Sequence, residues 1–160
     1  MNEFHIISID NPDNPYMEHV KELFTDMYLY MQHHGLMLEL AENGAELWLA
    51  SLRNTLGKFG ILCVAVEYEK VIGFAHGALK FGPDYLGSPK IGLITHIYVR
   101  EETQKKGTGE ALVNALYDWF REKKVGSVEL QVISGNSKGI AFWEKLGFTR
   151  ELFQYRKFMD

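Results

Sequence analysis

Gln104, Lys105, Lys106, Gly107, Thr108 and Gly109 lie between a β-rich run, Ile91 to Val99, and an amphipathic stretch with Leu112, Leu116, Trp119 and Phe120 on one side. A strand that delivers glycines to a helix start gathers unpaired backbone N–H groups and the positive end of the helix dipole around one point, a setting that suits a diphosphate. Gly107 and Gly109 carry no side chain to block close approach, and Lys105 and Lys106 are placed to neutralise phosphate charge at the rim. Loops rich in glycine and lysine precede many helices, so the segment alone names no ligand. Two other phosphate signatures fail on particular residues: a dinucleotide fingerprint needs glycine or alanine where Leu112 stands, and the Gly-Lys-Ser/Thr of a P-loop is absent.

These groups act only if the flanking elements hold them. Phe4 to Ile9 reads as a strand, and Asn14 is placed to cap a helix that has Pro15 at its first position and runs to His33. Apolar residues at helical spacing predict a second helix over at least Ala45 to Leu56, ended by Gly57 and Gly60. Ile61 to Glu67 and Val71 to Leu79 flank Tyr68, Glu69 and Lys70 as an antiparallel hairpin, and Phe81 to Lys90 is a loop. A strand from Val128 to Ile133, a short helix from Ser137 to Leu146 closed by Gly147, and a final β segment from Thr149 to Phe158 complete the order. Antiparallel strands followed by a right-handed strand-helix-strand crossover predict an α/β fold around a mixed sheet.

Gln104, Gly107 and Gly109 match the Arg/Gln-x-x-Gly-x-Gly/Ala signature of the GNAT acetyltransferase superfamily, which the sequence resembles. A second segment, Asn136, Gly139, Phe142, Trp143, Glu144, Lys145, Leu146, Gly147 and Phe148, is similar to the family's Asn-x-x-Ala…Tyr-Glu-Lys-Leu-Gly-Phe, with departures at Gly139 and Trp143. The resemblance spans Gly92 to Phe148. It implies a splayed mixed sheet of six to seven strands with about four helices on both faces, and acetyl-CoA as acyl donor. It further implies that backbone at Ile97 and Val99 pairs with the pantetheine arm, that Gln104 to Gly109 hold the diphosphate, that Asn136 bonds the pantetheine amides, and that Phe142 packs on the arm. A backbone N–H near Ile97 would steady the oxyanion formed when an amine attacks the thioester.

The catalytic groups usual in that family are missing. Leu93 and Thr95 stand where relatives often carry a glutamate base, and Trp143 stands where they often carry a tyrosine acid. Freeing an alkyl ammonium of pKa near 10.4 costs roughly 4 to 5 kcal/mol at neutral pH, so some base is needed, whereas a thiol of pKa about 8.5 leaves tolerably as the anion. His96 is the only imidazole on its strand and is the candidate base; alternation with Thr95 and Ile97 turns it to the acceptor side only if a bulge or the splay intervenes. Tyr155 is a weaker candidate acid, and a core role is the competing reading for Phe142 and Trp143.

Composition narrows the class. One hundred and sixty residues, 46% of them hydrophobic, suit one domain across residues 1–160. A net charge of −4 gives no basic field for nucleic acid, and scattered histidines offer no metal spacing. The sole cysteine, Cys63, sits in an apolar run and is expected to be a buried, inert thiol; with neither a signal peptide nor a membrane span, the protein is expected to be cytoplasmic. Asp26, Glu39, Glu42 and Glu46 favour a cationic acceptor, either a small-molecule or a peptide amine. The exposed edge of a long last strand predicts a homodimer. The rival readings are a non-catalytic acyl-CoA sensor and, more weakly, a Rossmann-like nucleotide-binding domain.

Overall fold

Alternation along the central strands divides the core between the two faces of one sheet. The computed structural model describes residues 3–104 and 106–160, so Lys105 lies outside the described residues. In chain order the elements are β1 (Phe4–Ile9), α1 (Val20–His33), α2 (Gly44–Leu52), β2 (Gly60–Glu67), β3 (Lys70–Phe81), β4 (Lys90–Val99), α3 (Thr108–Glu122), β5 (Ser127–Leu130) and α4 (Ser137–Lys145), with single 3-10 turns before α1, β4 and α3. Ile61, Cys63 and Ala65 of β2 join a cluster with Leu112, Leu116 and Phe120 of α3, while Leu62, Val64 and Val66 join one with Leu23, Phe24 and Leu49 of α1 and α2. Each helix is therefore fixed to the face its own apolar stripe selects.

The strands lie in the order β1-β2-β3-β4-β5. All neighbours are antiparallel except β4 and β5, which α3 connects as a parallel crossover. Tyr68 and Glu69, both at positive φ, make the tight turn between β2 and β3. Asn14 accepts a hydrogen bond from Tyr16 N–H at 2.9 Å, but it caps a 3-10 turn, and α1 proper starts only at Val20. Phe120 lies so close over Gly92 that any side chain on that glycine would strike its ring, which seats α3 directly on β4.

Among the described residues the sheet has five strands, not six or seven. Residues 149–160 form no ladder, and Leu152, Phe153, Tyr155 and Phe158 are exposed. A β-rich composition specifies a strand only where an edge pairs with it and a surface covers it, and along this stretch the chain supplies neither. Tyr155, 90% exposed, is correspondingly not on a strand and not brought to the other candidate residues.

Candidate active site

The arrangement turns on one extra residue in β4. His76 of β3 pairs with His96, but the next pair is Gly77 with Ile94, so Thr95 is the unpaired residue of a β-bulge. Ile94 packs in the α3 cluster, whereas His96 lies with its ring centroid 5.3 Å from both Phe24 of α1 and Trp48 of α2. In a regular strand residues 94 and 96 would share a face; the bulge separates them and puts Thr95 and His96 on the same side.

The bulge also marks where β5 leaves β4. The two strands pair only from Ile91 with Ser127 to Ile94 with Leu130. Arg100 N–H donates back to Ile72 O of β3 at 2.9 Å, so alternation turns the backbone groups of Ile97 and Val99 the other way, toward the side β5 has vacated. Gln104 Nε2 donates to Val99 O at 3.0 Å, pinning the loop to the strand end. An open cleft of about 560 Å³ lies alongside, with Asp26 and Tyr30 of α1, Tyr98, Glu101, Gln104 and Lys138 on its walls.

Gly107 is the N-cap of α3 at φ +80°, a left-handed conformation that lets the loop turn sharply into the helix. Among the described residues no side chain caps this end, and the first helical bond runs from Ala111 N–H to Gly107 O, so the amides of Thr108, Gly109 and Glu110 are available to an anion. The Thr108 hydroxyl is sealed from solvent and faces inward; only its backbone can serve. Gly109 lies against Phe142, which is half-buried, and Lys106 Nζ is 3.2 Å from Glu67 Oε1, so its charge is already partly engaged. Asn136 caps α4: its Oδ1 accepts from Gly139 N–H and Tyr30 O–H, each at 3.0 Å, leaving Nδ2 free to donate. A Cβ at Gly139 would meet that amide, so the Asn136 side chain would have to shift to admit any larger residue. Trp143 is buried in the α3 cluster with its ring edge-on to Phe148, which makes it a packing residue.

His76, overlooked in the sequence, joins the candidate residues. Its Nδ1 lies 2.6 Å from Thr95 Oγ1, and His96 Nδ1 lies 3.0 Å from the same oxygen. The signal lay in the register: once β3 and β4 pair antiparallel, these two histidines fall opposite each other. Burial pushes His96 down to about 4; burial, and then the charge of His96, push His76 down to about 4. Both rings are therefore neutral at pH 7. Cys63, hydrogen-bonded to Ser8, is pushed by burial up to about 11 and offers no nucleophile.

A strand that parts from its neighbour beside a helix start rich in free amides, followed by an asparagine-capped second helix, is the arrangement the resemblance implies. The chain matches the acetyltransferase (GNAT) family over residues 17–148 and belongs to it. It is 29% identical over 91 residues to a mycothiol acetyltransferase of Renibacterium salmoninarum, a match covering 57% of this chain and 26% of that protein. The chain spans about a quarter to a third of the length of the curated relatives it matches. Among solved structures, a tetramutant of the BH1408 protein from Bacillus halodurans shares the fold with a TM-score of 0.80 at 19% identity, over 97% of this chain and 99% of that one. The aminoglycoside N-acetyltransferase AAC(6')-Iy in complex with CoA does so with a TM-score of 0.75 at 18% identity, over 96% and 94%. No helix among the described residues is long and apolar enough to cross a membrane.

Proposed function

We propose that this protein, as one domain, transfers the acetyl group of acetyl-CoA to a primary amine of a small cationic acceptor in the cytoplasm. The observation that carries this reading is the parting of β4 from β5 after Ile94, which leaves backbone at Ile97 and Val99 without a strand partner on that side. The pantetheine arm lies there like an added strand, Asn136 Nδ2 donates to it, Phe142 packs on it, and the amides at the start of α3 take the diphosphate with Lys106 near the rim. Ile97 N–H stabilises charge on the carbonyl oxygen of the thioester. A proton leaves the amine for His96 as its nitrogen bonds the acyl carbon. Transfer from a free ammonium to a ring held near 4 would be uphill by about 8 to 9 kcal/mol, so the acceptor gives its ammonium proton to solvent and attacks as the neutral amine, and His96 takes a second proton once the new bond has lowered the nitrogen's basicity.

Acidic groups support a cationic acceptor. Tyr98 is pushed up by burial and then by Asp26, Glu101 and Glu102, with Arg100 opposing, and Tyr30 by burial and then by Glu101, so acidic groups act on the cleft walls beside Lys138. The test is calorimetric titration with CoA, followed by thiol release from acetyl-CoA with a panel of amines. Absence of CoA affinity overturns the whole reading; affinity without turnover on any amine leaves a sensor. Replacing Gly107 with valine forces a branched side chain into a left-handed backbone at a cost of about 1 to 2 kcal/mol, so the CoA dissociation constant is expected to rise about tenfold in the same titration.

The exposed apolar residues of the 149–160 segment and the open edge of β5 support a homodimer in which each satisfies the other. Sedimentation at micromolar concentration is expected to give a dimer, and a chain ending at Phe148 a monomer. A monomeric full-length chain would reject the pairing.

A further inference from the structure

Thr95 is where the candidate base, the bulge and a second buried imidazole meet. Its hydroxyl has one proton and two lone pairs, and it makes three contacts: His76 O at 3.2 Å, His76 Nδ1 at 2.6 Å and His96 Nδ1 at 3.0 Å. A carbonyl can only accept. If all three contacts are attractive, the proton goes to His76 O, and both Nδ1 atoms must carry hydrogen and donate to the lone pairs. The lone pair of each ring then sits on Nε2. His76 Nε2 is sealed from solvent without a partner, close against Gly60, and is out of reach of any substrate. His96 Nε2 is not sealed in this way and lies on the far side of its ring from Thr95, within the group formed by Phe24, Tyr28 and Trp48.

We propose that Thr95 is a positioning residue that fixes the tautomer of His96, keeping Nδ1 protonated and presenting the lone pair on Nε2 to the attacking amine. In water a histidine side chain prefers the opposite tautomer, with hydrogen on Nε2, which could not accept a proton there. The Nδ1–H bond to Thr95 is the same before and after the ring is protonated, so nothing in the triad has to reorient during the step. The balance is simple: the amine nitrogen bonds the acyl carbon, the carbon–sulfur bond breaks with its electron pair leaving on sulfur, and the amine proton passes to Nε2 and from there to solvent or the departing thiolate. His76 completes the triad by filling the second lone pair of the hydroxyl and supplying the carbonyl that takes its proton. This inference rests on His96 being the proton acceptor of the proposed acetyl transfer.

The experiment is a long-range proton–nitrogen spectrum of the full chain labelled with nitrogen-15 histidine, paired with steady-state kinetics. The wild-type spectrum should show an unprotonated Nε2 and a protonated Nδ1 at His96. Thr95→Val should lose that pattern and lower kcat about tenfold or more, with the amine KM within about twofold, while Thr95→Ser restores both. A protonated Nε2 at His96 in the wild-type chain, or a Thr95→Val variant with undiminished kcat, would overturn the proposal. Should Thr95→Val fail to fold, the wild-type spectrum and the serine variant still decide it. The spectrum is independent of turnover, so an inactive chain with the expected tautomer would reject the acyl transfer and leave the hydrogen-bond assignment standing.

Discussion

Replacing His96 with alanine is expected to lower kcat by about 10² to 10⁴-fold, the span general-base catalysis supplies, with CoA affinity unchanged. The ring contacts Phe24, Tyr28 and Trp48, while the cofactor reading rests on Ile97, Val99 and the start of α3, so the two effects separate. As the proposed base, His96 is competent wherever it is unprotonated, and burial holds it near 4; the acid limb in kcat should therefore fall near pH 4 rather than 6.5. Because the acceptor attacks as the neutral amine in either case, kcat/KM should climb toward the acceptor's own pKa in both the wild-type chain and the alanine variant. Unchanged turnover across pH in the variant would dismiss His96 as the base.

The same burial should make the protein acid-labile. His76 and His96 titrate near 6.5 when unfolded and near 4 when folded. Between those values the unfolded chain binds more protons, so stability is fully present above about pH 6.5 and is lost as the pH falls toward 4. A shift of that size is worth on the order of 3 kcal/mol for one ring, and a few kcal/mol for the pair, a large share of the stability of a domain this size. Urea denaturation at pH 7 and pH 4.5 measures it. A double variant with His76→Phe and His96→Phe is expected to lose much of the pH dependence between those points, and a dependence unaltered by both replacements would mean that other groups carry it.

How much of this was legible in the sequence follows from which interactions are local. The loop at Gln104 to Gly109 and the cap at Asn136 could be read because a helix start has short-range requirements: a left-handed glycine, free amides and a side-chain acceptor three residues before Gly139. The central strands could be read as continuous β-rich apolar runs because both faces of the sheet are covered. The histidine pair could not, because it depends on the register between β3 and β4, and the bulge that turns His96 has no glycine or proline to announce it. Residues 149–158 failed for the converse reason: the β-rich composition is present, but a strand is a relation between two segments, and the second is not supplied by the same chain fold.

The bulge makes the chemistry of β4 a matter of counting as well as of residue type. Deleting one residue between Ile94 and Ile97 would restore an unbroken ladder and swing whichever side chain then occupied position 96 into the layer beneath α3, next to Leu116 and Phe120 rather than Phe24 and Trp48. Evolution can thus switch this site off without touching a functional group, and when relatives are lined up, a one-position gap in this strand weighs more than several substitutions around it.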